Sequence, residues 1–315
     1  MGDPNVRPRY LDFDGYRLST AFDGDLLKSA LNYKPTPEDV FIVTYPKCGT
    51  TWVQHIVYLI FSRGEKPKSG LDFLKNSPFI EMLGADSAHT MNRPGAIKSH
   101  LPFSMIPYSK DAKYIYICRN PKDCVTSFYH HTKGFSGYEF TNGTFEVFFD
   151  LFCNGETDFG DYFEHILSWY EHRNDPNVLF LHYEDIKKDP RTEVLKIAKF
   201  IGENYYHELL DDTAYLENVL KHSDVSAMKE YTNDSLGKFF TNPLSAAEED
   251  VPEGLRLFHK VSQETPSEAK LVRKGIVGDY KTHLTPEMND RLNLMIVQKL
   301  QGTEFSDVWE KHGII

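Results

Sequence analysis

A chain of 315 residues, 40% of them hydrophobic, is long enough to bury a large core, and we read residues 1–315 as one domain. A formal net charge of -11 argues against nucleic acid as a main partner and leaves a small anionic ligand, held in a local basic cleft, open. The four cysteines, Cys48, Cys118, Cys124 and Cys153, form no CxxC pair, which fits a reducing compartment and argues against structural zinc.

The N-terminal stretch "MGDPNVRPRYLDFDGYRL" has no apolar leader, and no window reaches about 18 apolar residues, so neither secretion nor membrane spanning is expected. A cytoplasmic protein is the expectation, one in which the sequons at Asn142 and Asn233 never meet the glycosylation machinery. Three short β-rich runs follow along the chain: "VFIVTY" at 40–45, "YIYIC" at 114–118 and "VLFLHY" at 178–183. Their near-continuous apolarity reads as buried parallel strands. Each precedes a helical pattern. From Thr50 to Arg63, Trp52, Val53, Ile56, Leu59 and Ile60 share one face; Asn120, Pro121 and Asp123 read as cap, first helical residue and first-turn acid; Val194, Leu195, Ala198 and Ile201 repeat the pattern after the third run. The fold class is therefore α/β, a central, mostly parallel sheet flanked by helices, with ligands at the carboxyl ends of the strands. Residues 141–175 are aromatic-rich and read as helical core first and pocket wall second. Residues 232–268 are polar and broken by Pro and Gly, either a mobile cover or a long surface loop.

Four stretches carry candidate chemistry. In "TYPKCGTTW", Thr44 to Trp52, a loop leaves a strand and opens a helix, so free N–H groups and the helix dipole face an anion, a P-loop-like arrangement. Lys47 adds charge, Gly49 allows close backbone approach, Thr50 and Thr51 bring hydroxyls, and Trp52 lies either against a base or inward. The lysine precedes the glycine, unlike a Walker A loop, and a plain strand-to-helix turn is the alternative. "KSHLP" sets Lys98 two residues from His100, a pair suited to taking a proton beside an oxyanion, although most of the thirteen histidines must be structural. "CRNPKDCVTSFYHH" places Arg119 at a strand exit and Ser127 about two turns further along; Arg119 either grips a phosphate or pairs with Asp123 or Asp111. "VRKGIVGDYK" brings Arg273, Lys274 and Gly275 as a second anion cradle. Several basic sites in an acidic chain fit a small ligand with two separated phosphate-like groups. The sequence holds no HExxH, no GxSxG and no carboxylate set with metal spacing.

Taken in order with "FLHYEDIKKDP", these stretches make the chain resemble the cytosolic sulfotransferases over nearly its whole length. The resemblance implies transfer of a sulfuryl group from 3′-phosphoadenosine-5′-phosphosulfate (PAPS) to a hydroxyl or amine of a small acceptor, with 3′-phosphoadenosine-5′-phosphate (PAP) as product and no metal required. By it, Lys47, Cys48, Gly49, Thr50 and Thr51 form the 5′-phosphosulfate loop and Trp52 stacks on adenine. Arg119, Ser127, Arg273, Lys274 and Gly275 hold the 3′-phosphate, while Tyr183, Ser223, Val225, Met228 and Leu271 stand around the nucleotide. His100 is the implied general base, Lys47 steadies the departing oxygen and Lys98 assists.

Departures from the family pattern bear on detail. Cys48 replaces its usual serine, and Val225 and Leu271 replace phenylalanines around the adenine. Thr285-Pro286 and Asp290 stand where the family's dimer segment carries Thr-Val and Glu, so monomer and homodimer both stay open. Phe22, Phe79, His131 and aromatics at 138–152 are the expected acceptor walls, suited to a phenol or aromatic amine, with a steroid or aliphatic alcohol as the alternative. Glu139 either meets an amine or is a solvated loop acid. An ATP-dependent kinase and a nucleotide-binding protein without turnover are the competing classes; the reversed Lys-Gly order weighs against the first and His100 against the second.

Overall fold

The computed structural model describes residues 2–233, 251, 253–264 and 271–315; much of the stretch 232–268, read above as cover or loop, lies outside them. Within that stretch, Glu253–Glu264 is a helix. The polypeptide opens with an antiparallel hairpin of β1 (Tyr10–Phe13) and β2 (Tyr16–Ser19). Four parallel strands then form the central sheet: β3 (Val40–Thr44), β4 (Ile97–Ser99), β5 (Lys113–Cys118) and β6 (Val178–His182), in the spatial order β4-β3-β5-β6. The three long runs read from the sequence are β3, β5 and β6. β4 escaped that reading, because three residues are too few to show a period.

The apolar runs are continuous because both faces of the sheet are covered. Phe41 and Val43 of β3 and Tyr114, Tyr116 and Cys118 of β5 point into an aromatic core; Val40, Ile42, Ile115 and Ile117 point into an aliphatic one with Val53, Ile56, Ile60, Val194 and Ile197. The aliphatic face is covered by the helices Thr50–Phe61 and Pro190–Ile201. The aromatic face is covered in part by Phe145–Cys153 and Tyr162–Tyr170, which bear out the reading of residues 141–175 as helical core.

Register sets the site. Val43 pairs with Ser99 and Tyr116, and Cys118 pairs with His182, so the strands end along one edge of the sheet. His100, Arg119 and Tyr183, each the residue after its strand, and the loop after Thr44 all emerge there. The helix Pro121–Gly134 begins as the sequence indicates: the Asn120 side chain accepts from Asp123 N at 2.9 Å and Pro121 occupies the first turn. Thr285 and Pro286 open the helix Pro286–Lys299 in the same manner. No helix among the described residues is long and apolar enough to cross a membrane.

Candidate active site

One cavity of about 230 Å³ opens at that edge. Its floor at one end is the turn between β3 and the helix Thr50–Phe61. Lys47 (φ 68°) and Gly49 (φ 105°) both adopt left-handed backbone, and a Cβ on Gly49 would lie 2.8 Å from the Tyr183 ring. The helix N-cap, Gly49, has no side chain to bond the first N–H groups, so these remain available to an anion. By contrast, Asn120 caps its own helix. The Lys47 ammonium, with His131 Nδ1 at 3.5 Å and the Leu271 carbonyl at 3.4 Å, is brought down to about 7 by burial and by the nearby Lys98 and Arg119.

His100 follows β4 and is buried. Its Nδ1 lies 2.8 Å from the Thr44 carbonyl, which only accepts, so Nδ1 carries the proton and Nε2 is the basic nitrogen. Burial, reinforced by Lys98, holds the imidazole neutral by pushing it well below its ordinary value. The rings of Phe79 and Phe159 flank it, each at 5.1 Å. Its backbone is fixed twice over: the His100 N–H and the Ser99 hydroxyl both donate to Glu81 Oε1, and His165 Nε2 donates to the His100 carbonyl at 3.0 Å. Burial raises the Glu81 carboxyl to about 7, against the lowering effect of those donors. Lys98, 3.9 Å above the Phe79 ring, is lowered to about 8 by burial.

Arg119 lies over the Tyr183 ring at 4.4 Å and donates to the carbonyls of Lys47 (3.2 Å) and Ile276 (3.0 Å). Of the two acids weighed for it, Asp123 is the neighbour, at 3.8 Å. Asp123 also accepts from Gly278 N at 2.8 Å and Tyr280 N at 3.1 Å, tying the C-terminal segment to the Arg119 helix. That segment delivers Arg273 and Lys274, both paired with Asp279. Gly275 (φ 66°) packs against Val225, where a Cβ would meet Val225 Cγ1 at 2.8 Å. Among the described residues, the buried Nε atoms of Arg119 and Arg273 have no hydrogen-bond partner, two donors suited to an anionic group.

The other end is apolar. Phe22 packs edge-on against Phe79 and Phe159, and Tyr138, Phe135 and His131 complete the wall. Asp158 also lines it, buried, with the Tyr138 hydroxyl donating at 2.6 Å.

A family model described as the sulfotransferase domain matches residues 37–304. The chain belongs to the sulfotransferase family. It is 35% identical to Sulfotransferase 1E1 of Homo sapiens over 279 residues, covering 85% of this chain and 86% of that one. It is 31% identical to an amine sulfotransferase of Oryctolagus cuniculus over 313 residues, covering 97% and 95%. Among solved structures it resembles mouse sulfotransferase SULT7A1 complexed with PAP, with a TM-score of 0.72 and 25% identity over 96% of this chain and 98% of that one.

In this sulfotransferase the cavity brings together residues read from every motif. Lys47, Gly49, Thr50, Thr51, Trp52, Lys98 and His100 line it, as do Arg119, Ser127 and Tyr183. Val225, Met228, Leu271, Arg273, Lys274 and Gly275 close the same end. Two candidates stand off its surface. The Cys48 thiol turns into the core, 3.8 Å from Cys124 Sγ, and Ser223 spends its hydroxyl on the Val219 carbonyl while its own carbonyl accepts from Trp52 Nε1 at 2.8 Å. Of the aromatics at 138–152, Tyr138 faces the cavity and Phe140, Phe148, Phe149 and Phe152 join the core. Glu139 is the solvated loop acid, paired with Arg9 at 2.6 Å.

Sequence reasoning missed Glu81, His165, Asp158 and Phe159. For Glu81 a signal existed, a lone acid inside the apolar run "PFIEML". His165 lay hidden in an aromatic helix, and Asp158 in a loop that folding alone brings to the cavity.

Proposed function

We propose that this sulfotransferase uses PAPS and transfers the sulfuryl group in line to the hydroxyl or amine of a small phenolic or aromatic-amine acceptor. The observation that carries the reading is His100: a neutral imidazole whose Nδ1–H donates to the Thr44 carbonyl, leaving a basic Nε2, in the cavity that also holds the uncapped helix start. The residues present fit a bisphosphorylated nucleotide. Lys47 and the first N–H groups of Thr50–Phe61 would hold its 5′ end, Arg119, Ser127, Arg273 and Lys274 its 3′-phosphate, and Trp52 its base. Bound there, PAPS supplies an activated sulfuryl group.

His100 Nε2 takes the acceptor's proton as the acceptor oxygen or nitrogen attacks. Lys47 and Lys98 place positive charge where negative charge grows, in a setting of low polarity that strengthens both. Phe22, Phe79 and Phe159 exclude water and set a flat acceptor against His100. The four cysteines, all buried and free, suit the reducing cytoplasm in which we place the enzyme.

Calorimetric titration with PAP, ADP and magnesium-ATP tests the reading. PAP binds about 10²-fold tighter than ADP, and Arg119→Ala erases most of that margin, since a buried, hydrogen-bonded charge pair contributes about 2–5 kcal/mol. Equal binding of ADP, or a preference for magnesium-ATP, overturns it in favour of a kinase.

A further inference from the structure

The acceptor end of the cavity contains an imidazole that the transfer itself does not use. The histidine doublet near the end of the helix Pro121–Gly134 divides its work. His130 meets His283, Nε2 to Nε2 at 2.9 Å, off the cavity. Ser127, His131 and Phe135, spaced four residues apart, fall along one line of the helix and all line the cavity. Ser127 belongs to the nucleotide end and Phe135 to the acceptor wall; His131 stands between them.

One nitrogen of the His131 ring is already engaged. Nδ1 lies 3.5 Å from the Lys47 ammonium, a group that only donates, so Nδ1 keeps its lone pair and Nε2 carries the proton. Burial, then the positive charges of Lys47 and Lys98, push the imidazole well below its ordinary value and keep a second proton off it. Nε2 is therefore a neutral donor. It has no hydrogen-bond partner among the described residues, and it is not sealed off, since the ring is half-buried and Nε2 keeps accessible surface. The Phe135 ring at 4.4 Å and the Tyr138 ring at 6.1 Å surround it with apolar wall. A donor held in such a wall costs free energy until something in the cavity accepts from it.

The surroundings narrow the choice of what accepts. The Tyr138 hydroxyl on the same wall donates to Asp158 Oδ2 at 2.6 Å and offers the cavity no proton. The seat of the acceptor is fixed as well. Phe159, in left-handed backbone (φ 63°), donates its N–H to the Arg17 carbonyl at 3.0 Å and turns its ring edge-on to His100, with Phe79 on the other flank. A flat acceptor held by those rings has its reacting hydroxyl at His100. The ring position beside that hydroxyl comes within reach of His131, because Nε2 lies only an imidazole's width beyond the Nδ1 that meets Lys47, the group placed at the departing oxygen. Lys47 and Lys98 close by repel an ammonium there and favour an electron-rich oxygen.

We infer that His131 is the acceptor-selecting residue of this sulfotransferase: its Nε2–H binds an oxygen on the ring carbon next to the reacting hydroxyl, so that the preferred acceptor is a phenol with an ortho oxygen, an ether or a second hydroxyl. The inference rests on the phenolic acceptor class proposed above.

The test compares 2-methoxyphenol with 2-ethylphenol, which differ by one oxygen in place of a methylene, and takes the matching 4-substituted pair as control. In the wild type, kcat/KM for 2-methoxyphenol is at least about tenfold above that for 2-ethylphenol, because the apolar analogue leaves the donor unpaired, while the 4-substituted pair stays within about threefold. His131→Phe keeps a flat ring and removes the donor, and it brings the 2-substituted pair to within about twofold, with PAP binding retained as the check on folding. Equal kcat/KM for the 2-substituted pair in the wild type, a comparison that needs no variant, overturns the assignment. So does a preference that survives His131→Phe, or one that the 4-substituted pair shows equally. If the wild type sulfates none of these phenols, the proposed acceptor class fails, and calorimetric binding of the 2-substituted pair to the PAP-loaded protein decides on His131. Tighter binding of 2-methoxyphenol, lost in His131→Phe, supports the assignment; equal binding, or none, overturns it.

Discussion

The two ends of the cavity are built by different rules. At the nucleotide end most groups come from short contiguous stretches, three of them at strand exits, Lys47 to Trp52 after β3, Arg119 to Ser127 after β5 and Tyr183 after β6, and a further one in the C-terminal segment, Leu271 to Gly275. An anion held by backbone N–H groups requires a tight turn directly before a helix, so its residues must be neighbours in sequence. At the acceptor end, Phe22, Phe79, His131, Tyr138 and the adjacent pair Asp158 and Phe159 come from five separate places, because a flat apolar slot needs shape and no particular backbone. Contacts that use the main chain leave motifs, and contacts that use side chains alone leave few.

The sharpest way to break this division is at His100, where the two ends meet. His100→Ala should lower kcat by about 10²–10⁴-fold while PAP affinity stays within about threefold, measured by steady-state kinetics and calorimetry on the same preparation. A matching loss of PAP affinity would make His100 part of the nucleotide end instead.

A smaller effect tests whether charge at the nucleotide end is tuned. Lys47 has its ammonium held down to about 7, so in the free protein it loses its proton as pH rises through neutrality, and an anion must restore it. PAP affinity should therefore fall up to about tenfold per pH unit above 7, where the phosphates are already ionised, and Lys47→Met should flatten the profile. A wild-type profile flat between pH 7 and 8.5 would mean that Lys47 stays charged throughout.

The smallest effect concerns a surface acid. Glu139, exposed beside Arg9, should tolerate Glu139→Gln with KM for a phenolic acceptor within about twofold and stability within about 1 kcal/mol, as surface ion pairs allow. A clear rise in KM would make this loop part of the acceptor end.

Legibility followed the same division within the fold. β3, β5 and β6 were readable because burial on both faces makes them apolar throughout, and the Asn120-Pro121 start because capping has its own grammar. β4 was visible as "KSH" chemistry and silent as a strand. Cys48 and Ser223 sit in the right stretches, yet which way their side chains turn depended on Cys124 and Val219, far off in sequence. Glu81 and His165, which brace His100 from opposite sides, belong to no motif because they touch its backbone rather than any ligand.

The left-handed Phe159 has a further consequence for the protein's response to selection. Glycine at this position would relieve about 1–3 kcal/mol of backbone tension, but emptying the space of a buried phenylalanine costs about 3–5 kcal/mol. It would also remove the ring beside His100 that, in the proposed function, seats the acceptor. Libraries selected for heat resistance alone should thus keep the aromatic ring at position 159, so that selection for stability preserves the shape of the acceptor slot as a by-product.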